Sequence, residues 1–216
     1  LGATGVRARD LRSACGFSGV WGPIRAGDIR AFIDAGMVAA PAMRRVSFTL
    51  AERMVLVPVE LSALAKHLVW LLPALFLISG IGPGGFSMSG AISRWAVSAW
   101  AIIMGIVAGA VLTPALLPLL PGRTFALKGA IAGGLFWGTA AALTGRGWGM
   151  AGGAALLPLA IAVSSYLATN FTGSTPYTSP SGVEWEMRRA LPAQALMALT
   201  GLALWVVSAF AGWGPV

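Results

Sequence analysis

Five long apolar stretches dominate the hydropathy pattern of this chain. Each is long enough to cross a hydrocarbon core of about 30 Å as an α-helix. The third is the shortest and carries Lys128 at its edge, so four spans plus a re-entrant segment is an alternative. The pattern predicts an α-helical membrane domain over residues 58–216, with five transmembrane helices. The predicted spans are residues 59–81, 95–119, 125–143, 148–169 and 191–213.

The first 57 residues show shorter and more polar patterns. Residues 5–14 suit a short helix, and residues 17–21 suit a strand that ends at Gly22 and Pro23. A second helix is predicted from Asp28 to Gly36, and residues 45–50 alternate as a short strand would. This pattern predicts a partial cytoplasmic α/β segment. Fewer than about 60 residues bury too little surface to stand alone, so we expect a partner domain upstream.

The junction between the two parts has a clear helix-start signal. Thr49 and Glu52 have the spacing of a capping box, in which each side chain bonds the other residue's backbone N–H. Pro58 is then well placed in the first turn of the next helix, where its missing N–H costs nothing. The sequence therefore predicts a juxtamembrane helix that leads into the first span.

Composition narrows the functional classes. The chain has 216 residues, of which 57% are hydrophobic and 10% charged, with a net charge of +8. The basic residues lie between apolar runs and form no single cluster, so we predict no nucleic-acid partner. One cysteine and one histidine exclude an internal disulfide framework and multi-cysteine or His-rich metal motifs within these residues. We predict no metal site, and we expect Cys15 to be an unreactive small apolar residue.

The distribution of Lys and Arg predicts the orientation in the membrane. Eight basic residues fall near span ends on one side and two on the other, and cytoplasmic flanks carry the excess. The N-terminus is therefore predicted to be cytoplasmic and the C-terminus external, in a multi-pass protein of the inner (cytoplasmic) membrane. The eight are Arg44, Arg45, Arg53, Lys66, Arg123, Lys128, Arg188 and Arg189, and the two are Arg94 and Arg146.

The connection between the fourth and fifth spans, residues 170–189, is rich in hydroxyl side chains. Ser181 and Glu184 have capping-box spacing, and Glu184 and Arg188 are spaced for an ion pair on a short helix. Pro192 is expected to separate that helix from the last span. We predict a cytoplasmic loop that docks a partner protein, with a solvated turn as the alternative. The predicted docking residues are Asn170, Thr172, Tyr177, Thr178, Ser181, Glu184 and Trp185.

Two further patterns concern the spans themselves. Glu60 and His67 share one face of the first span but lie close to its cytoplasmic end, which favours an interfacial position. No span has an Asp, Glu, Arg or Lys near its centre, and this argues against an ion-coupled transporter. Small-residue spacings such as Gly105 with Gly109 and Gly129 with Gly133 predict close helix packing within the bundle, with a dimer seam as the alternative.

Three segments together resemble a known family. These are LGATGVRARDLRSACGFSGVWGPIRAGDIRAFIDAG, then APAMRRVSFTLAERMVLVPVEL, and, between the fourth and fifth predicted spans, FTGSTPYTSPSGVEWEMR. In this order, with five spans, they resemble the C-terminal two thirds of the HgcA family of mercury-methylating corrinoid proteins. The GPIRAGDIRAFIDAG stretch alone also resembles the corrinoid iron-sulfur protein of the acetyl-CoA pathway. Its joining to a five-span domain with this loop indicates the mercury-methylating branch.

The resemblance implies a function that needs more than these residues. In that family an upstream corrinoid-binding domain holds cobalamin, a cysteine in a Trp-Cys helix coordinates the cobalt, and the methyl group passes to Hg(II). A ferredoxin-like protein with two iron-sulfur clusters restores the reduced cobalt, in anaerobes. The Trp-Cys helix is not among the 216 residues, and Cys15 does not stand in its context.

The resulting hypothesis is membrane-anchored, corrinoid-dependent methylation of Hg(II) by the full-length protein. This fragment has no catalytic residue, binds no corrinoid by itself and is predicted to be inactive alone. Two alternatives remain, a membrane-bound corrinoid methyl carrier of one-carbon metabolism and a small transporter or channel. The weak candidates to approach the corrin in the full protein are Ala3, Thr4, Gly5, Gly22 and Pro23.

Overall fold

The computed structural model describes residues 8–45, 47–144, 150–174, 178 and 180–212. The chain divides into two compact units, Leu1–Phe48 and Thr49–Val216. Helices dominate both units, and the second contains five helices long and apolar enough to cross a membrane. The prediction of five spans is confirmed at this level. We call them spans 1 to 5: Leu50–Ser79, Met88–Ala115, Phe125–Leu143, Ala151–Gly173 and Ser181–Phe210.

The N-terminal unit is thinly packed. It contains helices Ala8–Cys15 and Ile29–Asp34 and short 3₁₀ turns at Ala26–Asp28 and Pro41–Arg44. Phe32 alone is buried among the described residues of this unit. The predicted second helix is confirmed, and it is followed by Gly36 in the left-handed conformation at a φ of 67°.

The two strands predicted in this unit do not form in the described residues. Residues 17–21 and 47–49 have no regular structure, and Phe17 and Trp21 are 73% and 59% exposed. A strand exists only when a neighbour pairs with its backbone, and the described part of the unit supplies none. The α/β character expected of this segment is therefore not observed. Cys15 is exposed and not buried as expected.

The junction forms as the sequence predicts. Thr49 N donates to Glu52 Oε2 at 2.8 Å, and Glu52 N donates to Thr49 Oγ1 at 3.4 Å, which completes the capping box. Helix Leu50–Met54 follows, and after one turn helix Val57–Ser79 begins with Pro58 in its first turn.

Spans 1 and 2 are joined by a small antiparallel hairpin, Ile81–Gly82 with Gly85–Phe86. Span 2 is α-helical over Met88–Ile106 and then forms a π-helical segment, Val107–Leu112, before a last turn, Thr113–Ala115. Pro114 cannot donate a backbone hydrogen bond, so the pattern of backbone hydrogen bonds in the helix changes just before it.

Span 4 lies at the centre of the bundle. Close approaches of glycines on spans 2, 3 and 5 surround it: a Cβ on Gly109 would come within 2.5 Å of the Ser164 carbonyl oxygen, and one on Gly129 within 2.5 Å of Ala168 Cβ. A Cβ on Gly201 of span 5 would come within 2.7 Å of the Leu159 backbone nitrogen. The predicted packing of Gly105, Gly109, Gly129 and Gly133 within the bundle is confirmed.

The connection between spans 4 and 5 is much shorter than predicted. Helix Leu157–Ser174 includes Asn170 and Thr172, and one continuous helix runs over Pro180–Phe210 with Pro192 inside it. The expected break at Pro192 is therefore wrong, because lipid offers no partner for freed backbone groups and favours continued helix. Ser181 lies in the first turn of the helix and is not its N-cap, so the second capping box is also wrong.

Candidate functional site

Two of the five predicted corrin-approach residues, Gly22 and Pro23, lie in the described part of the chain. Ala3, Thr4 and Gly5 lie outside the described residues. A Cβ on Gly22 would meet the Phe32 ring at 3.7 Å, an ordinary contact within the unit's own small core. Pro23 is half-buried beside it. Gly22 therefore packs against Phe32 within the N-terminal unit.

The predicted docking residues separate into a buried and an exposed group. Thr172 is fully buried and donates to the Ala168 carbonyl at 3.3 Å, so it cannot contact a partner and that assignment is wrong. Asn170 is half-buried in the same helix, and Thr178 is half-buried in the connection. Tyr177 lies outside the described residues.

The exposed group is on the first turns of span 5. Ser181 is exposed, and Glu184 accepts a hydrogen bond from Arg188 Nη2 at 2.8 Å, which confirms the predicted ion pair. Trp185 is 53% exposed, and the Arg189 guanidinium lies 4.1 Å from its ring centroid. We call Ser181, Glu184, Trp185, Arg188 and Arg189 the span 5 entry face. An aromatic ring stacked with a guanidinium is typical of protein contact surfaces.

Three charged side chains, of which Arg53 and Glu186 are buried and Lys128 is half-buried, form hydrogen bonds at the end of the bundle where span 1 starts and span 2 ends. Arg53 Nη1 donates to the Pro114 carbonyl at 2.5 Å, and Lys128 Nζ donates to the Leu117 carbonyl at 2.5 Å. Both cations thus lie at the C-terminal end of span 2, where the helix dipole is negative. Glu186 accepts from Ala126 N at 2.6 Å, at the positive N-terminal end of span 3. We call this the Arg53 end.

Arg94 organises the opposite end. Its Nη1 donates to the carbonyls of Ser79 and Ile81, both at 3.1 Å. Its Nη2 donates to the Trp205 carbonyl and to Ser208 Oγ, and the guanidinium lies 4.5 Å from the Trp205 ring centroid. Arg94 is 5% exposed, so it joins the ends of spans 1 and 5 to span 2 inside the bundle.

A polar layer crosses the bundle between spans 3, 4 and 5. Gln194 Nε2 donates to Ser165 Oγ at 2.9 Å and to Thr169 Oγ1 at 3.0 Å. Those hydroxyls donate in turn to the carbonyls of Ala126 and Ser165. Gln194 is 6% exposed, and its Oε1 is buried without a hydrogen-bond partner in the structure.

Gln194 also lines a cavity of about 450 Å³ between spans 1, 2, 4 and 5. Eleven of its fourteen lining residues are apolar, and the polar ones are His67, Tyr166 and Gln194. This volume lies in the range of about 300–1,000 Å³ that is usual for small-molecule sites.

Glu60 and His67 have different environments. Glu60 is 8% exposed, so the expectation that it reaches headgroup water is wrong. His67 is exposed and its Nδ1 lies 3.2 Å from the Ala63 carbonyl oxygen. Among the described residues, no cluster of three or more His, Cys, Asp or Glu side chains could hold a metal ion.

Sequence reasoning missed Arg94, Glu186 and Gln194 as buried groups. Arg94 was assigned to a span end and Glu186 to an interfacial helix. The available signal was a single polar residue flanked on both sides by apolar or small residues, as in the ISRWAV and LPAQAL stretches.

No family model matches this chain, and neither a curated protein nor a solved structure is significantly similar.

Proposed function

We propose that this chain is the membrane-anchoring part of a corrinoid-dependent methyltransferase of the HgcA type, which methylates Hg(II) to methylmercury. The observation that carries the proposal is the order of three segments in one chain: GPIRAGDIRAFIDAG, the capped junction at Thr49, and five spans with FTGSTPYTSPSGVEWEMR before the last. The cobalamin and its cobalt-ligating cysteine belong to the upstream domain of the full-length protein. The fragment alone is inactive.

The geometry of the membrane unit supports an anchoring role. The capping box fixes the start of span 1, and Arg53, one residue further on, bonds the last turn of span 2. The chain that precedes Thr49 therefore enters the bundle at the Arg53 end. Covalent linkage by itself raises the effective concentration of a tethered domain at the bundle.

The span 5 entry face is the proposed docking surface at that end. Glu186, one residue beyond Trp185, bonds the first turn of span 3 and so holds the start of span 5 at the Arg53 end. Trp185, stacked with Arg189, and Arg188, ion-paired with Glu184, combine an amphipathic anchor with charge, as partner surfaces do. We propose that this face contacts the corrinoid domain or the ferredoxin-like partner on the cytoplasmic side.

Methyl transfer from the full-length protein tests this proposal. The protein with its upstream domain and iron-sulfur partner is produced in anaerobic membranes and given isotopically labelled Hg(II). We expect labelled methylmercury. Protein loaded with methylcorrinoid that yields no methylmercury would refute the mercury assignment, and transfer of that methyl group to a one-carbon acceptor under the same conditions would favour the methyl-carrier alternative.

The docking face is tested in the same assay. Trp185→Ala should lower the methylation rate about fivefold, since an anchor residue contributes over about 1 kcal/mol to an interface. Leu199→Ala is the matched control, because Leu199 is an exposed apolar residue of the same helix. Equal rates for Trp185→Ala and wild type, at equal protein level and corrinoid content, would remove the docking role.

A further inference from the structure

The N-terminal unit contains a pocket of about 530 Å³ that lies entirely between its own segments. Hydrogen bonds hold the two sides of the pocket together. Ile24 N donates to the Met43 carbonyl at 3.0 Å, and Arg25 Nη2 donates to Ser47 Oγ. Arg25, Met43 and Ser47 all line the pocket, so these bonds lie at its wall and the Arg25 guanidinium is beside the Ser47 hydroxyl. We call it the Arg25 pocket.

The lining of the Arg25 pocket carries a positive charge. Its described lining residues include two arginines, Arg25 and Arg45, and one aspartate, Asp28, so their formal charge is +1. Asp28 forms no ion pair with either arginine within the part of the chain that the structure describes. Arg45 is exposed, and its side chain has no hydrogen bond or ion pair among the same residues. The charge of Arg45 is therefore available to an anionic ligand.

The chemistry of the lining suits a phosphate group better than a single carboxylate. A guanidinium presents a planar fork of N–H donors that matches two oxygens of a phosphate. A phosphate has enough oxygens to accept from two guanidiniums at once, whereas a carboxylate has only two. The rest of the described lining is small or apolar, and the volume lies in the range usual for small-molecule sites. The pocket therefore has room for an organic group attached to the phosphate.

We propose that the Arg25 pocket binds the phosphate group of an organic phosphate, with Arg25 and Arg45 donating to its oxygens. Two sources share this chemistry, an anionic phospholipid headgroup and a soluble phosphate compound. Arg45 lies five residues before span 1 begins, and basic residues so close to a span attract anionic lipids. This inference concerns binding by the N-terminal unit and does not depend on the methyl-transfer proposal.

Binding of inorganic phosphate tests the site. The full chain in dodecyl maltoside micelles, which contain no phosphate, is titrated with inorganic phosphate, and the phosphorus NMR line width of the ligand gives the bound fraction. We expect saturable binding. Salt at about 150 mM limits the range of unspecific charge attraction to about 8 Å. Absence of saturable binding would overturn the proposal.

The same titration in micelles that also contain phosphatidylglycerol separates the two sources. Loss of inorganic phosphate binding there would identify the lipid headgroup as the occupant, because lipid and probe compete for the same arginines. Unchanged binding of inorganic phosphate would identify a soluble phosphate compound. Either result supports a phosphate site.

An arginine substitution locates the bound phosphate. Arg45→Gln should lower the affinity for inorganic phosphate at least tenfold, because charged hydrogen bonds to the ligand are lost. Arg44→Gln is the matched control: it removes the same charge from the neighbouring exposed residue, which does not line the pocket, and should change the affinity less than about twofold. Equal losses in the two variants would mean attraction to surface charge alone and would overturn the proposal.

A substitution at Asp28 should act in the opposite direction. Asp28 lines the pocket and makes no side-chain capping bond to the helix that follows, so Asp28→Asn leaves the fold intact. Removing a carboxylate that repels the anion should raise the affinity for inorganic phosphate about threefold. Unchanged or weaker binding in Asp28→Asn would show that the phosphate binds outside the Arg25 pocket.

Discussion

Spans 1 and 4 have similar apolar character but opposite places in the bundle. In the most apolar 18-residue window, 61% of span 4 is buried and only 6% of span 1. Span 1 exposes large side chains, with Trp70 79% exposed and Val69 65% exposed. Span 4 contributes Ser164 and Ser165, which donate to carbonyls of span 3. In lipid, burial therefore follows small and hydroxyl-bearing residues, and hydrophobicity by itself does not predict which face is inside.

The two spans are also held by different means. Span 4 is held along its length by backbones that approach it closely at glycines, whereas the described polar contacts of span 1 concentrate at its ends, at Arg53 and Ser79. Close packing supplies dispersion contacts, and buried charged hydrogen bonds supply fixed points. The difference predicts which substitutions unfold the bundle.

Replacing Arg94 should have the largest effect on stability. Arg94→Met removes the donors of three carbonyls and one hydroxyl at the end of span 1 and span 5, and each buried acceptor left unpaired costs about 1–3 kcal/mol. We expect the free energy of unfolding to fall by about 3 kcal/mol. Denaturation with SDS in mixed micelles measures it.

The control for Arg94 is Arg188→Met, which removes an exposed ion pair on span 5 and should cost under about 0.5 kcal/mol. Similar losses of unfolding free energy in Arg94→Met and Arg188→Met would mean that Arg94 does not hold the end of span 1.

A smaller loss of unfolding free energy is expected from a substitution where span 2 packs against span 4. Gly109→Ala places a Cβ within 2.5 Å of the Ser164 carbonyl oxygen, so two helix backbones must move apart. Overpacking of this kind costs about 1–3 kcal/mol, and we expect about 2 kcal/mol in the same unfolding experiment. Gly138→Ala is the matched control, because a Cβ there meets nothing within 4 Å. If Gly109→Ala is as stable as Gly138→Ala, span 4 is not closely packed at this point.

The smallest effect is predicted on the outer face of span 1. Trp70→Ala truncates a side chain that is 79% exposed, so the free energy of unfolding should change by less than about 0.5 kcal/mol. A loss above about 2 kcal/mol would show that Trp70 contacts another helix, and the peripheral place of span 1 would then be wrong.

The sequence predicted the elements whose causes are local. Five apolar runs, the capping box at Thr49 and Glu52, the ion pair of Glu184 with Arg188 and the helix end at Gly36 all depend on near neighbours, and the structure confirms each. The predicted positions of the span ends were less accurate, because helices extend beyond the apolar run into polar residues, as at 180–190.

Features that depend on distant residues could not be predicted. Arg94 donates to Trp205 and Ser208, more than a hundred residues away, whereas the sequence pattern placed it only near a span end on the external side. The strand at 17–21 failed for a related reason, because a strand depends on a partner that the described residues do not contain. The cavity at Gln194 needs four spans to form, and no single segment indicates it.

The central claim of this account is that the Arg53 end faces the cytoplasm, where a corrinoid domain joined before Thr49 would act. Single cysteines at Ser181 and at Gly84, in a Cys15→Ser background, place a thiol at the Arg53 end and in the hairpin turn at the opposite end. Intact cells are treated with an impermeant thiol reagent, with permeabilised cells as the positive control for both positions. The excess of Lys and Arg at the Arg53 end predicts labelling at position 84 and none at position 181 until the cells are permeabilised. Labelling at position 181 and not at 84 in intact cells would place the Arg53 end outside and contradict the account.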